Sequence, residues 1–189
     1  VAECNACMKR IVAAPTAGSC GVLPAVLIPL TEETGVSTEL VLQALYIAAG
    51  FGQVTAARAN VSGAEGGCQA EIGTASAMAA AALTHIMGGT AQQCAHAFAI
   101  ALGNLLGLVC DPVGGLVEIP CVKRNVVGAV NAVSAANMAL AGITSHIPAD
   151  EVIDAMGEIG DALPASLRET GLGGLAATPT AKRITKNIR

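Results

Sequence analysis

Seven cysteines in 189 residues are a raised count, and an odd number disfavours a disulfide framework. Free or metal-bound thiols remain. Three of them fall where the sequence is read to pass between helix and loop. Cys68 closes the run Ser62-Gly63-Ala64-Glu65-Gly66-Gly67 and opens an Ala-rich helix. Cys110 is expected to end a helix ahead of Asp111-Pro112, and Cys121 follows Pro120 at the start of another. Helix N-terminal amides lower a thiol's pKa and stabilise negative charge, which suits thiolates holding an iron–sulfur cluster. The spacing of the three, 42 and then 11 positions, matches no ferredoxin arrangement and is weak evidence by itself.

The other four cysteines read differently. Cys94 lies within a helix between Gln93 and Ala95, as a core thiol does. Cys4 and Cys7 form a lone C-x-x-C without a second pair or a neighbouring histidine, and are read as structural or incidental. Cys20 sits in Pro15-Thr16-Ala17-Gly18-Ser19-Cys20-Gly21, ahead of a helix. Such a loop offers backbone N–H groups to a substrate carboxylate, or is an ordinary tight turn around a buried thiol. Glu65 and Glu71 flank Cys68, and Glu71, inside an apolar helix, needs a buried partner. His85, His96 and His146 are the titratable candidates for proton transfer, each in surroundings that suit a structural histidine.

The elements that must position these residues are helical. Ser37-Thr38-Glu39 caps a helix running to about Asn60, with Leu40, Val41, Ala44, Leu45 and Ala48 at helical spacing. Gln69 to Met87 is nearly free of polar residues and reads as a helix buried all round, stopped by Gly88-Gly89. Further helices are expected at Val22 to Leu30, Ala91 to about Leu108, Val122 to Ile143 and from Pro148 to about Leu163, with a short turn after Pro164. Alternating β-branched runs bounded by hairpin turns are missing, so the fold class is all-α: a compact bundle of roughly six or seven helices in one domain, 1–189. The chain begins on Val1, from which a fragment lacking N-terminal residues of a longer subunit is expected.

Composition restricts partners. A net charge of −4 and a pI near 5.3 leave no clustered basic face for nucleic acid. The basic residues Lys182, Arg183, Lys186 and Arg189 suit a solvated helix face. Mean hydropathy of +0.61 raises the membrane question. The best candidate, Val126 to Ile143, carries Asn131, Ser134 and Asn137 and reads as a buried helix, so no membrane span is expected. No charged-then-apolar leader opens the sequence, and a cytoplasmic, reducing setting is expected.

The strings around the three cysteines are more specific than their spacing. Ser62-Gly63-Ala64-Glu65-Gly66-Gly67-Cys68-Gln69-Ala70-Glu71, Leu105-Leu106-Gly107-Leu108-Val109-Cys110-Asp111-Pro112-Val113 and Val117-Glu118-Ile119-Pro120-Cys121-Val122-Lys123-Arg124-Asn125 resemble those of the iron–sulfur-dependent L-serine dehydratases, as does Ala14-Pro15-Thr16-Ala17-Gly18. The resemblance covers essentially the whole chain. It implies a [4Fe–4S] cluster on Cys68, Cys110 and Cys121 with one iron left open as a Lewis acid. It implies L-serine as substrate, pyruvate and ammonia as products, and a β-rich domain or beta subunit as partner in an oligomer. Substrate contacts would fall on Thr16, Ala17, Gly18, Ser19, Ser62, Gly63, Lys123 and Arg124. The catalytic base is not readable, and a base supplied from outside this chain is the preferred reading. Pyridoxal-phosphate chemistry is not expected, because Lys9, Lys123, Lys182 and Lys186 stand in no Schiff-base setting, and Gly171-Leu172-Gly173-Gly174 lacks the strand of a phosphate loop. Two other readings compete: a non-catalytic iron–sulfur sensor or electron carrier, and a structural helical partner with inert thiols.

Overall fold

In the computed structural model, which describes residues 1–188, the chain folds into α1 (Ala2–Ala6), α2 (Val22–Thr34), α3 (Thr38–Arg58), α4 (Gly63–Gly66), α5 (Thr74–Ile86), α6 (Ala91–Gly103), α7 (Cys121–Leu140), α8 (Ala149–Ala162) and α9 (Pro179–Ile188). A π-turn, Gln69–Gly73, leads directly into α5, and 3₁₀ turns stand at Val113–Gly115, Ala165–Leu167 and Gly174–Ala177. The all-α class is the one that periodicity predicts. Among the described residues nine helices stand where six or seven are expected, because α1 and α4 are too short for a periodic signal and α9 forms where the sequence shows only a basic helix face. Lys182, Arg183 and Lys186 do lie exposed on α9, while Arg189 is outside the described residues.

Helix α5 is the axis of the molecule. Every residue from Thr74 to Thr84 is buried, and α2, α3, α6 and α7 pack around it. Alanine on most of its positions keeps its surface low, so neighbouring backbones come close. Gly128 of α7 shows how close: a Cβ there would lie 3.0 Å from Ile72 Cγ2 and 3.1 Å from Val22 Cγ2. The buried polar groups in this contact are satisfied. The Ser76 hydroxyl donates to the Gly128 carbonyl at 2.7 Å and accepts from Asn131 Nδ2 at 2.9 Å, and the same amide reaches the Ala101 carbonyl at 2.8 Å. Phe51 of α3 stacks on Phe98 of α6 with ring centroids 4.7 Å apart.

Three expectations need correction. Helix α6 stops at Gly103 instead of Leu108, because Gly107 takes a left-handed backbone (φ +83°) and gives its N–H to Gln69 Oε1 at 2.8 Å. The expected single helix from Gln69 is wound as a π-turn over its first five residues, a form that recurs at functional sites. Helix α7, expected as a buried helix, buries one face only: Gly128, Ala132, Ala135, Ala136 and Ala139 face the core, while Val126, Val127, Val130 and Val133 are exposed. Among the described residues, the helix long and apolar enough to cross a membrane is α3, with 22% of its most apolar window buried in the fold.

Two glycines on helices should respond in opposite directions. Gly50, in mid-α3, has open space where a Cβ would go, so Gly50→Ala should stabilise by about 0.5–1 kcal/mol. Gly128→Val must push Ile72 and Val22 aside and should destabilise by about 1–3 kcal/mol, both read from urea midpoints.

Candidate metal centre

Four separate segments meet at the N-terminal end of the π-turn. Cys68 caps that turn, with 1% of its surface exposed. The following residue fastens it. Gln69 donates its backbone N–H to the Leu108 carbonyl at 2.8 Å, and its buried Nε2 reaches the carbonyls of Gly66 and Met156, both at 3.0 Å. One side chain thus ties the cysteine loop to α8 and, through Gly107, to the segment that carries Cys110.

Cys110 does not end a helix. It stands in extended backbone paired with Arg168, its N–H donating to the Leu167 carbonyl at 2.9 Å and its carbonyl accepting from Glu169 N–H at 2.7 Å. Asp111, next in sequence and 2% exposed, accepts from the Leu175 N–H at 2.6 Å. Its other oxygen lies 2.8 Å from Arg124 Nη2 in a largely buried ion pair. The glycine-rich turn at Gly171–Gly174 therefore closes over Asp111, and Gly174 has no room for a Cβ there.

Cys121 is the first residue of α7, and Arg124 lies one turn on. Lys123 and Arg124 part company because consecutive helical residues point about 100° apart. Lys123 is exposed, whereas Arg124 Nη1 reaches inward to the Val109 carbonyl at 2.8 Å and Cys68 Sγ at 3.5 Å. Asn125 was not singled out by sequence, yet it locks the fourth segment in place. Its Oδ1 accepts from Gly21 N–H at 2.9 Å, and its Nδ2 donates to the carbonyls of Gly18 and Cys121 at 2.8 and 2.9 Å.

That fourth segment is the loop Thr16–Ser19. Thr16 and Ser19 hydroxyls lie 3.1 Å apart, Asn5 Nδ2 donates to the Ala17 carbonyl at 3.0 Å, and Thr16 Oγ1 donates to Glu71 Oε2. Glu71 finds its buried partner here. Ser62 and Gly63 start α4 on the other side, with the Ser62 N–H held by Asn60 Oδ1 at 2.7 Å. Glu65 turns away to the exposed side, accepting from Asn60 Nδ2. Of the residues singled out from the sequence, the fold brings Cys68, Cys110, Glu71, Thr16, Gly18 and Gly63 together here, and Lys123 stands apart. The histidines are elsewhere: His85 lies fourteen residues along from Glu71, about 20 Å by helical rise, His96 meets Gln92 on α6 at 3.4 Å, and His146 is exposed.

The donor set suits a metal. A carboxylate oxygen of Glu71 and the sulfurs of Cys68 and Cys110 lie within 4.8 Å of one another, and Cys121 Sγ lies outside that group. The hydrogen bond from the Cys110 thiol, aided by Arg124, holds Cys68 below its ordinary pKa against the opposing effect of burial. Cys110 is raised by donating that hydrogen bond and by burial, and burial pushes Cys121 up to about 12. Three adjacent thiolates without a cation are thus unfavourable, and soft sulfur donors are what an iron–sulfur cluster takes. Arg124 stays cationic because Cys68 and Asp111 outweigh its burial.

The sequence model for the serine dehydratase alpha chain matches residues 1–176. The chain belongs to the serine dehydratase alpha chain family. This alpha chain is 59% identical over 98% of its length to a Bacillus subtilis protein named "Probable L-serine dehydratase, alpha chain", of which it covers 62%. It is 60% identical to a Latilactobacillus sakei protein of the same name, covering 98% of this chain and 89% of that one. It is 51% identical to the "L-serine dehydratase, alpha chain" of Peptoniphilus asaccharolyticus, covering 98% of this chain and 64% of that one. Against two of these three relatives the alpha chain therefore spans less than two thirds of their length.

Burial raises Glu71 above its ordinary pKa, with the Thr16 hydrogen bond opposing. A carboxyl group raised on folding binds its proton more tightly in the folded than in the unfolded state. Metal-free protein should therefore lose stability as pH climbs from the ordinary carboxylate range through the raised value. Glu71→Gln should flatten that slope, measured as urea midpoints at stepped pH.

Proposed function

We propose that this alpha chain catalyses the dehydration of L-serine to pyruvate and ammonia, with a [4Fe–4S] cluster held by Cys68, Cys110 and Cys121. What supports the reading is that Cys68 and Cys110 converge with Glu71 against the Thr16–Ser19 loop, in a chain of the serine dehydratase alpha family. The chemistry that such a cluster supplies is Lewis acidity at an iron without a thiolate, which makes a hydroxyl a better leaving group.

The residues of the chain divide the remaining work. Cys68, Cys110 and Cys121, all buried, would hold the group, and Arg124 would offset part of its negative charge through Cys68. The Thr16–Ser19 loop, braced by Asn5 and Asn125, would receive the carboxylate of the amino acid beside Gly18 and Gly63, which both pack against the Glu71 carboxylate. Arg124 is engaged with Cys68, Val109 and Asp111, so substrate binding is assigned to the loop instead. Removal of the α-proton is assigned to a base brought by a beta subunit or β-rich domain. Loss of water then gives 2-aminoacrylate, which tautomerises to the imine and takes up water to yield pyruvate and ammonia. Seven free cysteines accord with a reducing, cytoplasmic setting.

The test is anaerobic reconstitution with iron and sulfide in the presence of the partner subunit, followed by assay of pyruvate from L-serine and from L-threonine. Visible thiolate-to-iron absorption with pyruvate formation is expected. Cys68→Ser, Cys110→Ser and Cys121→Ser should each lower turnover by about a hundredfold or more. Cys7→Ser, at an exposed thiol, should leave it unchanged. A fully loaded cluster with no turnover in the complete assembly would sink the proposal.

A further inference from the structure

Glu71 is where the centre departs from a set of thiols. Its carboxylate oxygen lies within 4.8 Å of the sulfurs of both Cys68 and Cys110. The backbone on each side is shaped to admit it. A Cβ at Gly18 would stand 2.8 Å from both carboxylate oxygens, and one at Gly63 would stand 2.8 Å from Oε1 and 3.1 Å from Cys110 Sγ. Thr16 fastens Oε2, which leaves Oε1 on the side of Gly63 and Cys110. Nothing in the packing asks for a carboxylate here. A neutral glutamine would fill the same space without placing a carboxylate beside two thiols, and a charge withdrawn from water is retained where it is paired or binds a metal.

We propose that Glu71 is itself an oxygen ligand of the metal centre, and that the carboxylate of the substrate displaces it. The inference rests on the cluster reading above. A hard oxygen donor among soft thiolates is the most readily exchanged member of such a set. Thr16, which fastens Glu71, belongs to the loop assigned to the substrate carboxylate, so one carboxylate can replace another on the metal with no change in the charge of that ligand.

The experiment uses the full chain with its partner subunit, reconstituted anaerobically, reduced to a paramagnetic cluster and examined for ¹⁷O hyperfine coupling. In H₂¹⁷O, wild type should show no coupling from bound solvent, whereas Glu71→Gln should show it, because water enters the vacated position. L-Serine labelled with ¹⁷O in its carboxylate should then give coupling in wild type. Solvent coupling in wild type that is unchanged in Glu71→Gln, or no coupling from labelled serine, would overturn the proposal.

A second measurement does not depend on cluster assembly: cobalt(II) alone titrated into the metal-free chain under argon. Both proteins should develop sulfur-to-cobalt absorption, with affinity weaker by about tenfold or more and shifted d–d bands in Glu71→Gln. Identical titrations and spectra sink the ligand role of Glu71. Cobalt binding that depends on Glu71 in a chain that takes no cluster keeps this inference and removes the cluster reading. A cluster that carries water in wild type does the reverse, and failure to bind either metal removes both.

Discussion

Acidic groups crowded together away from water are the constraint on which this molecule is arranged. The buried thiols of Cys68, Cys110 and Cys121 lie beside the half-buried carboxyl of Glu71, with the guanidinium of Arg124 against one of the sulfurs. In a low-dielectric interior such a group of negative charges is strongly unfavourable unless a cation joins it. The two raised thiols and the raised carboxyl are the same fact seen from different atoms. Apart from Arg124, the surroundings offer neutral hydrogen bonds in place of compensating charge.

Those neutral hydrogen bonds set the geometry. Gln69 joins three segments through its own amide and backbone, and Asn125 joins α7 to the Gly18–Gly21 turn. Asp111 extends the frame outward, taking Leu175 N–H on one oxygen and Arg124 on the other. Each of these side chains is buried or nearly so, and its partners are mostly backbone atoms, so the frame is rigid where the donors hang from it. The Ala-rich α5 behind it contributes close packing, which fixes α7 against the π-turn through Gly128 and Ile72.

Much of this was legible in the sequence because the informative residues are local. The all-α class, the cap at Ser37 and the buried character of α5 follow from spacing and capping chemistry, and they stand. The loop at Thr16–Ser19 and the glycine run before Cys68 were visible as motifs, and Glu71 as a charge in an apolar stretch. What escaped depends on distant partners. Leu105 to Leu108 has helical propensity, yet the Gln69 side chain captures the Gly107 N–H and the helix ends early. Lys123 and Arg124 are indistinguishable until the packing of α7 decides which one faces inward. Asn125 carries no motif, and its role exists only once Gly18 and Gly21 lie beside α7.

The pairing of Cys110 with Arg168 bears on how the chain is made. The backbone partners that hold Cys110, Leu167 and Glu169, lie more than fifty residues further along the sequence. A chain emerging from its N-terminus presents all three thiols well before the segment that fixes the middle one has been synthesised, and contacts of such long range form late. Nascent protein therefore passes through an interval in which these sulfurs are exposed and unarranged. The danger of misplaced metal or oxidation is concentrated in synthesis, and the finished fold escapes it by enclosing them.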